Sequence, residues 1–120
     1  MSPIIHQAPP GRRSIMHNEY VKGDFLYQSN YAAGLVILDA SNAETGVLEE
    51  AAYFNVVSQV SASFTGSWSN YPYFSSGVVV VSSIPGGLFV LKPNLGTPPV
   101  SPPPSSPPSA SPTSSSNSVV

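Results

Sequence analysis

Phe25-Leu26-Tyr27-Gln28-Ser29-Asn30-Tyr31-Ala32-Ala33-Gly34-Leu35-Val36-Ile37-Leu38 is echoed by Val78-Val79-Val80-Val81-Ser82-Ser83-Ile84-Pro85-Gly86-Gly87-Leu88-Phe89-Val90-Leu91. In both stretches two apolar runs flank a turn-forming centre. Gly34 and Gly87 fall in register, 53 residues apart, and each is followed by Leu. That spacing is the size of one blade or array unit in repeat proteins. The expected fold is all-β: one to two blades of a propeller-like repeat, built from antiparallel strands and hairpins and followed by a disordered Pro/Ser-rich tail. Two such units are too few to close a ring.

Working outward, turn chemistry marks the remaining elements. A strand is expected from about Ser14 to Val21, then a tight turn at Lys22-Gly23-Asp24. Phe25 to Tyr31 reads as a strand with aromatics at 25, 27 and 31. Leu35 to Asp39 reads as a strand whose four apolar residues suit burial on both faces. Ala40 to Gly46 is a polar loop. Leu48 to Val57 is ambiguous, since Glu49-Glu50-Ala51-Ala52 suits a helix start. The following Tyr53-Phe54-Asn55-Val56-Val57 favours a strand. Ser58 to Ser76 reads as a long excursion with one short strand. Val78 to Ser83 and Leu88 to Leu91 form a hairpin turned at Pro85-Gly86-Gly87.

Composition divides the chain. No charged residue follows Lys92, and from Gly96 onward Pro and Ser dominate. Such a segment has little to bury and reads as an extended stalk. The expected organisation is an irregular segment over 1–13 and a partial repeat domain over 14–95. Within that domain the two units span about 14–57 and 70–93. The stalk occupies 96–120. With roughly 95 residues outside the stalk, only a modest core can form.

Charge and cysteine content exclude several classes. The net charge is −2 with 8% charged residues, so no basic field exists for nucleic acid or an anionic membrane. The absence of cysteine excludes disulfides, thiolate metal sites and Cys nucleophiles. The longest apolar runs, Leu35 to Leu38 and Val78 to Val81, are far too short to span a bilayer as a helix. Residues 1–16 lack the apolar core of a signal peptide. If the protein is exported, this chain lacks the parts that direct it, as a fragment of a longer protein would.

The repeat also carries a resemblance. Gly34-Leu35-Val36-Ile37-Leu38-Asp39 followed by Ala40-Ser41 resembles the LVIVD repeat, which reads roughly Gly-Leu-x-Val/Ile-x-Asp. His17-Asn18-Glu19-Tyr20, Tyr27-Gln28-Ser29-Asn30-Tyr31, Gly66-Ser67-Trp68-Ser69-Asn70-Tyr71-Pro72-Tyr73-Phe74 and Gly86-Gly87-Leu88-Phe89-Val90-Leu91 are similar to the end of the choice-of-anchor B proteins. The match covers about Ser14 to Pro93. In the second unit Lys92 stands where Asp39 stands in the first. The resemblance implies an extracellular or surface protein built on a propeller of these repeats, with a spacer after it. It brings no catalytic residues.

Few residues invite chemistry. His17 sits near Asn18, Glu19, Asp24 and Asp39, but one imidazole and scattered acids lack metal-ligand spacing. Its expected role is to bond the backbone of the neighbouring unit. Asp39 is expected to cap a turn rather than to bind Ca²⁺. Glu49 and Glu50 are adjacent and face opposite ways in a strand. They do not converge as glycosidase acids do, and they read as a solvated strand edge. Gly66-Ser67-Trp68-Ser69 is not a nucleophile elbow. Trp68, Tyr71, Tyr73 and Phe74 are the one aromatic concentration. They are expected to pack between units; the alternative is a sugar-stacking or protein-binding surface.

The expected function is therefore a non-catalytic extracellular or cell-surface scaffold or interaction module, with no cofactor and no metal. His17, Trp68, Tyr71 and Tyr73 are its candidate contact residues, and a protein or glycan is its partner. Self-association through exposed strand edges is expected as well. Two alternatives stand beside it: a carbohydrate-binding module using Trp68 to Phe74, and part of a propeller enzyme whose catalytic residues lie elsewhere.

Overall fold

The computed structural model describes residues 6–96, so the stalk expected over 96–120 lies almost wholly outside the described residues. Seven strands form two antiparallel sheets. The first sheet runs in chain order: β1 (Asn18–Lys22), β2 (Phe25–Ser29), β3 (Leu35–Asp39) and β4 (Glu49–Phe54). The second holds β5 (Ser67–Tyr71), β6 (Val79–Ser83) and β7 (Gly87–Leu91). The only helical element among the described residues is a single 3₁₀ turn, Ala43–Thr45. Successive side chains alternate between the two faces of each sheet; β6 buries one of them, whereas β3 is buried on both.

The two echoed stretches are hairpins of identical register. Ser83 pairs with Gly87, and Asn30 donates its N–H to the Gly34 carbonyl at 2.9 Å. Each pair is the 53-residue counterpart of the other. Both glycines hold left-handed backbone, with φ of 76° and 78°. A side chain strains that conformation, which is why both turns carry Gly. Their surroundings differ. A Cβ on Gly34 would overlap the Phe54 carbonyl, whereas one on Gly87 would meet open space.

Register also assigns the faces. Tyr27 opposes Ile37 and Ser29 opposes Leu35, so these four share one face of the first sheet. That face meets Val79, Val81, Phe89 and Leu91 of the second sheet to form the core, with Val56 closing one side. On the other face of the first sheet lie Leu26, Gln28, Val36 and Leu38, covered by residues before β1. Leu38 is wholly buried. Burying an aliphatic side chain of this size stabilises by about 1.5–3 kcal/mol.

The strand expected from Ser14 begins later, at Asn18, because the chain before it crosses the first sheet instead of pairing along it. Arg12 makes that crossing hold. Its Nη2 donates to Glu50 Oε1 at 2.6 Å, and its guanidinium lies 4.0 Å from the Tyr53 ring centroid. The Glu50 carboxylate holds the Arg12 pKa above its usual value, through the hydrogen bond first. β4 is an edge strand and Glu49 is exposed, as expected, but the Glu50 carboxylate is paired and partly buried instead of solvated. It opposes Leu38, on the covered face, while Glu49 opposes Asp39 on the other. The helical alternative for residues 49–54 is replaced by β4, with a register shift at Ile37/Leu38.

Candidate functional site

Hydrogen bonds between the sheets position the candidate residues. Ser67 Oγ donates to the Gly34 carbonyl at 2.8 Å, and Ser67 N–H donates to the Tyr31 carbonyl at 2.8 Å. Asn70 Nδ2 donates to Ser29 Oγ at 2.8 Å. Ser29, Ser67 and Asn70 are all buried. In a low-dielectric seam such bonds resist loss, because either partner left alone is an unpaired buried polar group. They clamp β5 onto the β2–β3 turn. Gly66 makes the approach possible, since a Cβ there would overlap the Tyr31 carbonyl.

The rings of the candidate site line this seam. His17, just before β1, donates from Nδ1 to the Trp68 carbonyl at 2.7 Å. Its ring lies 4.4 Å from Trp68 and 5.0 Å from Tyr31, centroid to centroid. Tyr31 meets Phe64 edge-on at 5.5 Å and Trp68 at 6.1 Å. Trp68 falls in the irregularity between Ser67 and Ser69, where β5 shifts register against β6. A bulge of this kind re-aims a side chain. Here it places Trp68 with 49% of its surface exposed.

A second group continues the strip. Tyr71 lies 5.5 Å from Tyr73 and 5.0 Å from Phe74, both edge-to-face. Tyr73 also meets Tyr20 at 6.2 Å. The backbone beneath is tied down. Lys22 Nζ donates to the Pro72 carbonyl at 2.7 Å and to the Phe74 carbonyl at 3.1 Å, while Tyr73 Oη donates to the Val21 carbonyl at 2.9 Å.

Trp68, Tyr71, Tyr73 and Phe74 are all exposed. The expectation that they pack between units is corrected. The core needs side chains from the inner faces of β5 to β7, and that space is filled by Asn70, Val79 and Val81. The structure brings the four candidate residues together as two pairs. His17 belongs with Trp68, and Tyr71 with Tyr73.

Sequence reasoning missed Tyr31. It is buried under the strip and holds left-handed backbone, φ 39°, the only non-glycine residue with positive φ among those described. Such a conformation costs of order 1–3 kcal/mol and persists only where surroundings impose it. Its carbonyl accepts from both Gly34 N–H and Ser67 N–H, which imposes it. Its place in an Asn-Tyr turn next to two alanines was the available signal.

Asp39 lies apart from the strip. Its Oδ1 accepts the Ser41 N–H at 2.9 Å, as in a turn cap, and hydrogen bonding from Ser41, the side chain first and the backbone N–H second, lowers the carboxyl pKa below its usual value. Among the described residues no three His, Cys, Asp or Glu side chains converge in a way that could hold a metal ion. A groove of about 460 Å³ runs between β4 and residues 91–94, away from the rings. Its one acidic lining residue is Glu50, whose carboxylate is paired with Arg12. No helix of the described residues is long and apolar enough to cross a membrane. Comparison with protein-family models, with curated proteins and with solved structures gave no match.

Proposed function

We propose that this protein is a non-catalytic, surface-displayed β-repeat module of the LVIVD or choice-of-anchor B type, acting outside the cell by presenting a binding surface. Each hairpin with its flanking strands is then one blade-like unit, and stacking of units sets the geometry of the display. The observation that carries the reading is the aromatic strip. Large rings are normally spent on the core, yet here Trp68, Tyr71, Tyr73 and Phe74 stay exposed while the backbone beneath them is pinned by Lys22 and His17. Rigid exposed aromatics lose little conformational entropy on binding and are favoured in interfaces. His17 supports a structural assignment of the strip's only imidazole, because its Nδ1 proton is committed to the Trp68 carbonyl.

Tyr71, Tyr73 and Phe74 interlock edge-to-face, which makes a knob suited to an apolar protein pocket. Trp68 alone offers a ring face, and a glycan is the second reading for that reason. A peptide-display library selected against the protein is expected to yield binders that lose at least ~10-fold in affinity to a Tyr71→Ala/Tyr73→Ala variant, the usual weight of an aromatic anchor. Glycan-array signal lost in Trp68→Ala transfers the assignment to carbohydrate. Turnover of a panel of chromogenic esters and glycosides, abolished by His17→Ala, overturns the non-catalytic reading.

A further inference from the structure

The aromatic group around Tyr71 is built to receive rings and carbonyls. Tyr71 meets Tyr73 and Phe74 edge-on, and Tyr73 meets Tyr20. Tyr73 is fixed by its bond to the Val21 carbonyl, so the cluster holds its shape without an occupant. Tyr20 and Tyr71 also line a shallow hollow of about 310 Å³ with Val80 and Leu88, and none of its lining residues is charged. Tyr71 is exposed, and its Oη bonds no other described residue. A ligand that suits this place brings apolar rings, an acceptor for the Tyr71 hydroxyl and no charge.

The chain carries such a segment. Residues 97–112, outside the described residues, hold eight prolines, and no charged residue follows Lys92. Proline has no N–H, and a polyproline II helix makes no internal hydrogen bonds, so its carbonyls stay free to accept. Such helices dock on aromatic-lined surfaces, and being preformed they lose little entropy there. The segment also departs from the right place. β7 ends at Leu91, opposite Val79, while Tyr71 pairs with Val80 and Val80 with Val90. Tyr71 and the end of β7 thus share one end of the second sheet, two strand spacings or about 10 Å apart. Lys92 Nζ donates to the Ser76 carbonyl, which ties the departing chain to the loop just past Phe74. Pro93 and Asn94 then face β4 and Leu95 packs on the core, so the segment starts about one sheet spacing, ~10 Å, from the face that bears Tyr71. Eight residues of polyproline II helix from Gly96 span roughly 25 Å, enough to bring Pro102 to Pro104 to the rings.

We propose that the group of Tyr20, Tyr71, Tyr73 and Phe74 is the docking site of the chain's own segment 97–112, held there as a polyproline II helix. The inference rests on the reading of the aromatic strip as a binding surface, and it names the occupant. Proline rings lie against the exposed tyrosines, and a proline carbonyl accepts from Tyr71 Oη. Tethering supplies an effective concentration on the order of mM, so a contact too weak to form between separate molecules is filled within one. An outside ligand then reaches the rings only by displacing the segment, which sets the affinity a partner must exceed.

The chain has no cysteine, so a nitroxide on Ser105→Cys in the full chain marks the segment alone. The amide signals of Tyr73 and Phe74 are expected to lose at least about half their intensity, as a site filled for most of the time requires. Tyr71→Ala is expected to restore them, and so is Pro102→Ser/Pro103→Ser/Pro104→Ser. Unbroadened signals overturn the proposal. So does broadening that both variants leave in place, since a tethered label then only drifts past. Broadening of an isotope-labelled chain by a nitroxide on another copy overturns it too, because the segment then acts between molecules. The peptide binders selected on the strip are expected to hold the triple proline variant at least ~3-fold more tightly than the parent, the gain from freeing a site occupied about two-thirds of the time. Equal affinity for both, with binding still lost in Tyr71→Ala/Tyr73→Ala, overturns this inference and leaves the binding-module reading standing. Binders indifferent to Tyr71 and Tyr73 overturn that reading, and the docking site with it.

Discussion

The hairpins β2–β3 and β6–β7 share a register, a glycine conformation and much of their sequence, yet one is the centre of the molecule and the other its margin. The first is flanked by β1 and β4 and covered on both faces. The second has one neighbour, β5, and leaves β7 as an edge with an open face. Equivalent residues consequently do different work. Ser29 accepts a bond from the opposite sheet through Asn70, whereas its counterpart Ser82 bonds within its own sheet to Ser69. Asp39 caps the turn at Ser41, whereas Lys92 donates to the Ser76 carbonyl. A hairpin's conformation is local, but the energetic weight of each position depends on what covers it.

The sharpest break between the two is at the shared glycine. Gly34→Ala is expected to cost more than ~4 kcal/mol, because left-handed strain of about 1–2 kcal/mol is joined by overlap with the Phe54 carbonyl, which belongs to a strand and cannot step aside. Gly87→Ala meets only the strain and is expected to cost about 1–2 kcal/mol. Urea unfolding measures both. Equal losses would show that the turn conformation, and not the packing around it, sets the cost.

Next comes the core. Leu38→Ala is expected to destabilise by about 2–5 kcal/mol, as a wholly buried leucine should. Val90→Ala, at an exposed position, is expected to stay within about 0.5 kcal/mol of the parent. The serine pair gives a smaller contrast. Ser29→Ala leaves Asn70 short of a buried acceptor and is expected to cost about 1–3 kcal/mol. Ser82→Ala, half-buried and bonded locally, is expected to cost less than ~1 kcal/mol by the same assay.

The smallest effect concerns pH. The Asp39 carboxyl is held below its usual pKa by hydrogen bonding from Ser41, side chain first and backbone N–H second, so its contribution is complete at neutral pH. It is lost as pH falls through the lowered value, since the unfolded chain then binds the proton more readily than the folded one. Asp39→Asn keeps an oxygen acceptor and removes the titration. Thermal unfolding of that variant is expected to vary less with acid than that of the parent. An unchanged acid slope would assign the sensitivity to another carboxylate.

Much of this was legible in the chain. Turn residues at Lys22-Gly23-Asp24 and Pro85-Gly86-Gly87 mark true hairpin turns, and the four apolar residues from Leu35 are buried on both faces as their composition implies. The start of β1 was not legible, because nothing in Ser14 to His17 announces that this stretch crosses a sheet. Nor was Glu50, whose partner Arg12 lies 38 positions away. The aromatic segment was visible as a concentration of rings but not as a surface. Whether Trp68 faces in or out turns on one irregularity in β5, which shifts its side chain without altering the residue pattern around it.

By itself the sequence determined what is local: strands from alternation, turns from glycine and proline, and the matched register of two hairpins from a 53-residue echo. The tertiary structure alone decided which hairpin would be enclosed, which serines would bridge the sheets and which rings would remain in water. Backbone geometry depends on neighbours a few residues away, while burial depends on which face another sheet happens to cover. The same pattern therefore produces a core in its first copy and an open face in its second.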